Sequence, residues 1–506
     1  MASVPSVLGL TPLGAAIIRP TAIGAGLPVN TGISPPANQG PVQKGPAAHE
    51  PAQYYSPRIR EKFDVQITTN LSTSVENTKY ADISYAFDER AYAKRTQARL
   101  QAGGLLTTLP HGWPKVLRGP LVWTGSDFPD QSVFCYDLTD QDKEEITAAL
   151  AHFKTLEKDG KDANRESFPL PGLQKKLLRI RDDVYQGRGF ATLRGLDVHA
   201  FSDVDLLTVY LGLSSYVAEV RGKQNHKGSM LIHVVNTTEA IRTENATVEM
   251  PFHTDLVCDV VSTLTKSCGG SGGSAIVASA WTVYNELAAT RPDLIHVLAE
   301  PNWPFDTFMR DPPFYNRALL YLQDGKVITN FSRRCLVGHA ATGPRTPGIP
   351  GLTEAQAEAL DALHAIGRRH ELRTAMRAGD VRFVNNMGLM HRRNPYQDDE
   401  EMGLDQRRHL LRLWLHNPES CWAMPAPLRL AWERIFRDPE RDGRWDLVRV
   451  DEEGRMWDKP VWKEVGHEEE DSYRVRGSVT MPPGGIRTAA DEDSTSTTST
   501  TSTACD

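Results

Sequence analysis

The chain has no run approaching the ~18 apolar residues that a membrane-spanning helix needs, and its mean hydropathy is negative, so no membrane partner is expected. Cysteine is scarce. The six cysteines (Cys135, Cys258, Cys268, Cys335, Cys421 and Cys505) are scattered and form no C-x-x-C pair, which argues against a zinc ribbon or a disulfide framework. A dense basic block is missing too: 57 Lys plus Arg against 64 Asp plus Glu leave a formal net charge of −7, so nucleic acid is not an expected partner. These absences fit a reducing, cytoplasmic setting.

Both ends are poor in material for a core. Residues 1–55 are rich in Ala, Gly and Pro, with Arg19 and Lys44 as the cations before Glu50, and read as disordered or as a weak mitochondrial targeting segment. Residues 476–506 finish in a Ser/Thr repeat that buries too little apolar surface to offset the entropy of ordering, so a free tail is expected. Between them, residues 56–475 contain no linker-like break and read as one large domain.

Within that unit Thr139 caps a helix carrying Ile146, Ala149, Leu150 and Phe153. Another helix follows Pro292, and Thr353 with Gln356 forms a capping box ahead of Leu360, Leu363 and Ile366. Residues 190–196 read as a strand. Residues 318–323 and 326–331 flank Asp324-Gly325, the dipeptide suited to the positive φ angles of a type I′ hairpin turn. Two later strands are expected, over 380–386 and 408–416. The first puts Val381, Phe383 and Asn385 on one face, and the second aims Arg408 and Arg412 to one side, with Leu411, Leu413 and Leu415 opposite. Strands interleaved with helices suggest an α+β barrel or sandwich in a helical jacket, not a doubly wound parallel sheet.

His253 and Asp255 are two residues apart, so on a strand both point the same way and can share one cation. Alone, H-x-D is a common accident, and a lone His391 is more often a packed histidine than a ligand. In order along the chain, His253, Asp255, His391 after a strand, and then two arginines match the parts of a facial triad with an anchor for a keto acid. Two imidazoles and one carboxylate suit Fe(II) and leave three positions open. Arginine suits a distant carboxylate better than lysine does, because its planar fork bonds both oxygens.

The sequence here resembles the TauD/TfdA family of taurine-dioxygenase-like enzymes, and among them the longer fungal members. The resemblance rests on Gly189-Phe190, on Leu193-Arg194-Gly195-Leu196, on Phe252-His253-Thr254-Asp255, and on Gly272-Gly273 followed by Tyr284 and Leu287. Further matches are Gly379-Asp380, Asn385-Asn386, His391 with Arg393, and Gln406-Arg407-Arg408 leading into Leu411-Arg412-Leu413-Trp414-Leu415. It implies a double-stranded β-helix (jelly-roll, clavaminate synthase-like) core. It also implies Fe(II) on His253, Asp255 and His391, and 2-oxoglutarate as co-substrate with its far carboxylate on Arg408. Arg412 would meet an acidic group of a small substrate, with a structural ion pair as the alternative. The implied reaction consumes O2 and releases succinate and CO2 while oxidising the substrate, with hydroxylation the default. Asp255 speaks against a halogenase, where halide would take the carboxylate's position.

Two departures stand out. Ala275, beside Ser274, replaces a threonine that helps to hold the keto acid in the family, and residues 398–401 form an acidic insertion expected to lengthen a loop without moving the strand. Two other readings share the same residues: a Zn(II) hydrolase, and a barrel that has lost catalysis and only binds, to which Ala275 lends weight. The glycine-rich 269–273 lacks the lysine of a phosphate loop and reads as a flexible turn. Cys258 and Cys268 are expected as small core residues, His409 and His416 as packing, and the acidic run 468–471 as solvated surface.

Overall fold

The computed structural model describes residues 80–225, 227–235, 247–308, 313–339, 344–398, 406–439, 441–450 and 456–462, the stretches 446–450 and 456–462 by backbone alone. Both expected tails and the acidic run 468–471 lie outside the described residues.

The first half contributes helix α1 (Glu89–Ala102), strand β1 (Cys135–Asp137), α2 (Asp140–Thr155), α3 (Gln174–Tyr185), β2 (Phe190–Arg194), α4 (Asp203–Ser215), β3 (Val220–Arg221) and β4 (Ile232–Val235). Next come β5 (Met250–His253), β6 (Val260–Ser267), β7 (Ser271–Gly272), β8 (Ala275–Ser279), α5 (Ala280–Thr290), α6 (Pro292–Ala299), β9 (Trp303–Asp306) and β10 (Phe314–Arg317). Then follow β11 (Leu320–Gln323), β12 (Lys326–Thr329), α7 (Arg333–Val337), α8 (Glu354–His370), β13 (Leu372–Thr374), β14 (Val381–Asn385), β15 (Leu389–Arg393) and β16 (Tyr396–Gln397). The last are β17 (His409–His416), α9 (Ala426–Phe436), β18 (Trp445–Val450) and β19 (Met456–Trp462).

Several local signals act as expected. Thr139 and Asp142 cap α2 reciprocally, Thr353 and Gln356 do the same for α8, and α6 opens on Pro292. The hairpin β11–β12 pairs Gln323 with Lys326, and Asp324 and Gly325 take φ values of 49° and 73°, as a type I′ turn requires.

Two sheets form the jelly-roll. The large one runs β1-β2-β14-β6-β17-β3, with β4 also on β17; the small one runs β13-β8-β15-β5. Apart from the parallel β1–β2 pair, their strands are antiparallel. Strand alternation splits the hydrophobic residues of the large sheet into two cores. Val381 and Phe383 of β14 and Leu411, Leu413 and Leu415 of β17 pack outward against Ile146, Leu177 and Tyr210 of α2, α3 and α4. Phe190, Val261, Val384 and Trp414 face inward, onto Phe252, Val277 and Met390 of the small sheet, and Leu287 and Leu363 of α5 and α8 close that core from beyond. The result is helices, large sheet, small sheet, helices. Among the described residues, no helix is long and apolar enough to cross a membrane.

Candidate active site

His253 ends β5, Asp255 follows as the chain leaves that strand, and His391 lies on β15 directly opposite His253 in the register. Adjacent strands thus bring the two imidazoles side by side, with ring centroids 4.3 Å apart. Asp255 Oδ1 sits 3.5 Å from His391 Nε2 and 4.0 Å from His253 Nε2, and one donor atom from each residue falls within 4.8 Å of the others. Cis ligands around an ion with ~2.1 Å bonds stand ~3 Å apart, so a small inward shift lets the three share a metal.

The protonation states fit that use. His253 Nδ1 lies 2.8 Å from the Pro251 carbonyl, an arrangement that assigns the ring proton to Nδ1 as donor and leaves the Nε2 lone pair facing Asp255. Burial and the second imidazole lower the His253 pKa to about 3, so it is neutral near pH 7. Burial pushes the Asp255 carboxyl upward, but Arg412, then His391 and His253, outweigh it and hold it well below the usual range. Two imidazole nitrogens and one carboxylate make a donor set suited to Fe(II).

Asn386, immediately after β14, shapes the loop that presents Asp255. Its Oδ1 accepts the Asp255 backbone N–H at 2.9 Å, and its Nδ2 donates to the carbonyls of Asp255, Leu256 and Cys258. In the sequence, Asn385-Asn386 and Trp414 carry no signal of this task beyond the family resemblance. The Trp414 indole N–H donates to Asp255 Oδ2 at 2.6 Å.

The two arginines differ in their surroundings. Arg412 lies 3.3 Å from Asp255 Oδ2 through Nη1 and donates from Nε to Gln224 Oε1 at 2.9 Å. The residue expected to meet a substrate acid is therefore already in an ion pair. Arg408 immediately precedes β17 and is 3% exposed, yet its Nε and Nη1 have no hydrogen-bond partner. Its guanidinium lies 5.0 Å from the Tyr396 ring centroid, and burial lowers its pKa despite Tyr396 and Asp398 nearby. A buried cation left with unused donors has the chemistry of a socket for an anion.

The glycine-rich 269–273 is more ordered than a flexible turn: β7 pairs with β16, and Gly273, at φ +66°, leaves room where a Cβ would stand 2.9 Å from Arg408 Nε. Asp398, the first residue of the acidic insertion, accepts the backbone N–H of Arg408 and of Gly270, which ties the loop to the start of β17; residues 399–405 lie outside the described set. Opposite Ala275, Thr374 of β13 donates its hydroxyl to the Ala275 carbonyl at 2.9 Å.

The histidines expected as packing are hydrogen-bonded as well as packed. His409 Nε2 meets His233 Nδ1 at 2.9 Å, and His416 Nδ1 meets Asp259 Oδ2 at 2.6 Å against the Trp432 ring. Asp259, His416 and Cys421 are a second group close enough to hold an ion, but that 2.6 Å contact is shorter than two ligands of one metal allow, and a hydrogen bond accounts for it. Cys258 is a fully buried core residue, as expected, while Cys268 is half-buried with its thiol toward the Met376 carbonyl.

Residues 152–414 match the family described as "Taurine catabolism dioxygenase TauD, TfdA family". The chain belongs to the TauD/TfdA family. As a member it is a 2-oxoglutarate-dependent dioxygenase, with Fe(II) and 2-oxoglutarate as cofactor and co-substrate. Among curated relatives, a taurine hydroxylase-like protein, SAT17, of Stachybotrys chartarum is 31% identical over 332 residues, covering 63% of this chain and 85% of its own. FR-33289 synthase of Streptomyces rubellomurinus is 28% identical over 331 residues, covering 62% and 94%. Among solved structures, asparagine oxygenase with Fe(II), hydroxyasparagine and succinate superposes on 56% of this chain and 93% of its own, at 16% identity and a TM-score of 0.45. The non-haem iron oxygenase OrfP with Fe and alpha-ketoglutaric acid covers the same shares at 15% identity and a TM-score of 0.43.

Proposed function

We propose that this TauD/TfdA dioxygenase hydroxylates a small organic metabolite, with iron held by His253, Asp255 and His391 and 2-oxoglutarate held by Arg408. The observation that carries the ligand assignment is the convergence of one donor atom from each of His253, Asp255 and His391 within 4.8 Å of one another, with Asp255 Oδ1 at 3.5 and 4.0 Å from the two Nε2 atoms. Iron bound there supplies the activation of O2, in the overall balance RH + O2 + 2-oxoglutarate → ROH + succinate + CO2. The protein side of the reaction is positioning. Neutral His253 and anionic Asp255 need no deprotonation to bind a cation. Arg408 offers two unused donors to the far carboxylate of 2-oxoglutarate, in a setting dry enough to make that contact strong. Arg412 is engaged with Asp255, so its support for an acidic substrate is weaker than its place in the family motif implies.

The test is anaerobic reconstitution with Fe(II), followed by oxygenated turnover with taurine, other sulfonates, carboxylates, phosphonates and amino-acid derivatives. Succinate and CO2 should form with at least one of them, only when Fe(II), O2 and 2-oxoglutarate are all present, and Asp255→Ala should abolish this. Turnover that persists with Zn(II) and without O2 would overturn the reading in favour of hydrolysis. Failure of iron-loaded protein to bind 2-oxoglutarate calorimetrically would overturn it in favour of a binding module.

A further inference from the structure

Asp255 turns its two oxygens to different neighbours. Oδ1 faces the two imidazoles at 3.5 and 4.0 Å, whereas Oδ2 accepts the Trp414 indole N–H at 2.6 Å and lies 3.3 Å from Arg412 Nη1. The donors share an origin. Arg412 and Trp414 are two residues apart on β17, so both side chains project inward from the large sheet toward a carboxylate carried by the other side of the barrel.

Each donor is itself held. Trp414 is 4% exposed in the core between the sheets, which leaves its indole no room to swing. Arg412 Nε is bonded to Gln224 Oε1, and Gln224 Nε2 donates in turn to the carbonyls of Met230 (3.0 Å) and of Arg412 itself (2.8 Å). An indole N–H can only donate, so it serves no purpose toward a metal and can only engage the carboxylate oxygen turned away from it.

Resting on the assignment of His253, Asp255 and His391 as iron ligands, we propose that Trp414, backed by the Gln224–Arg412 pair, is a positioning residue that holds Asp255 to one-oxygen ligation. A carboxylate free to turn about its last bond can give both oxygens to a cation. That would occupy one of the three positions which the co-substrate and O2 require. With Oδ2 held by the Trp414 N–H and by the charge of Arg412, Oδ1 alone faces the two imidazoles. The 2.6 Å bond from a rigid ring sets the direction, and the arginine, at a longer distance, supplies charge.

The experiment is an anaerobic Fe(II) titration of the full-length, metal-free protein against a chromophoric chelator, with circular dichroism to verify folding. Trp414→Phe keeps a ring and loses the donor, and should raise the Fe(II) Kd about 10- to 100-fold. Trp422→Phe is the control. That residue is also a buried indole, but it donates to the Tyr185 carbonyl, so its loss should damage packing and leave the Fe(II) Kd within twofold of wild type. Equal Kd values for the two folded variants would overturn the proposal, as would wild-type affinity in Trp414→Phe. If Trp414→Phe does not fold, Arg412→Gln carries the test: it should weaken Fe(II) by about 3- to 10-fold, and an unchanged Kd would overturn the clamp. Asp255→Ala separates the two claims, since wild-type iron affinity there defeats the ligand assignment, whereas its loss alongside an unaffected Trp414→Phe defeats only the clamp.

Discussion

Arg408 and Arg412 stand four residues apart at the start and in the middle of the same stretch, both point into the barrel, and they are in opposite states. Arg412 is paired with Asp255 and Gln224, whereas Arg408 is nearly inaccessible with Nε and Nη1 unbonded. A buried charge that the fold satisfies contributes to structure. One that the fold leaves unsatisfied costs stability unless a ligand completes it. Position in a motif does not distinguish them; their partners do.

The largest expected effect tests the satisfied arginine through its partner. Asp255→Asn keeps the shape of the side chain, removes the charge and strands Arg412. Iron affinity should fall more than about 100-fold, and metal-free stability by about 3 kcal/mol, the low end for breaking a buried ion pair, read from denaturant unfolding. Next, Arg408→Met should weaken 2-oxoglutarate binding to the iron-loaded protein about 30- to 1000-fold by calorimetry, corresponding to about 2–4 kcal/mol for a lost charged pair. The same change should leave the ligand-free protein as stable as wild type or more so, because it removes an uncompensated charge. If Arg408→Met lowers ligand-free stability as Asp255→Asn does, the contrast between the two sites is wrong.

Arg412→Met should behave in reverse: metal-free stability down by about 1–3 kcal/mol, because the buried Asp255 carboxylate loses its ion-pair partner, and 2-oxoglutarate affinity within about threefold of wild type. The smallest change sharpens the picture of the Arg408 socket. Gly273→Ala adds a methyl at positive φ that would press on Arg408 Nε, so about 1 kcal/mol of stability and a few-fold of 2-oxoglutarate affinity should be lost together. Loss of the first without the second would mean that Gly273 serves the turn alone.

Much of the scaffold was legible because its causes are local. The capping boxes at Thr139 and Thr353, the Asp324-Gly325 hairpin and the alternation along β17 each arise from residues within a few positions of one another. The triad was legible for a related reason: His253 and Asp255 are close in the chain, and a familiar motif supplied His391. The supports of the triad were not. Trp414 and Asn386 reach Asp255 across 159 and 131 residues, and neither an indole nor an asparagine carries a sign in sequence that it will bond the Asp255 carboxylate or the loop that carries it. The glycines at 272 and 273 looked like flexibility because the obstacle they avoid, Arg408 for Gly273 and the Pro395 carbonyl for Gly272, lies more than a hundred residues away.

The amino-acid order by itself determined which side chains could bind iron and 2-oxoglutarate, since donor chemistry and two-residue strand spacing are properties of residues and their near neighbours. Only the folded barrel decided which arginine keeps its hydrogen bonds to itself and which holds them open, and which oxygen of Asp255 faces the histidines. Those outcomes depend on pairing strands far apart in the chain and on the desolvation that results, and neither exists before the two sheets close on each other.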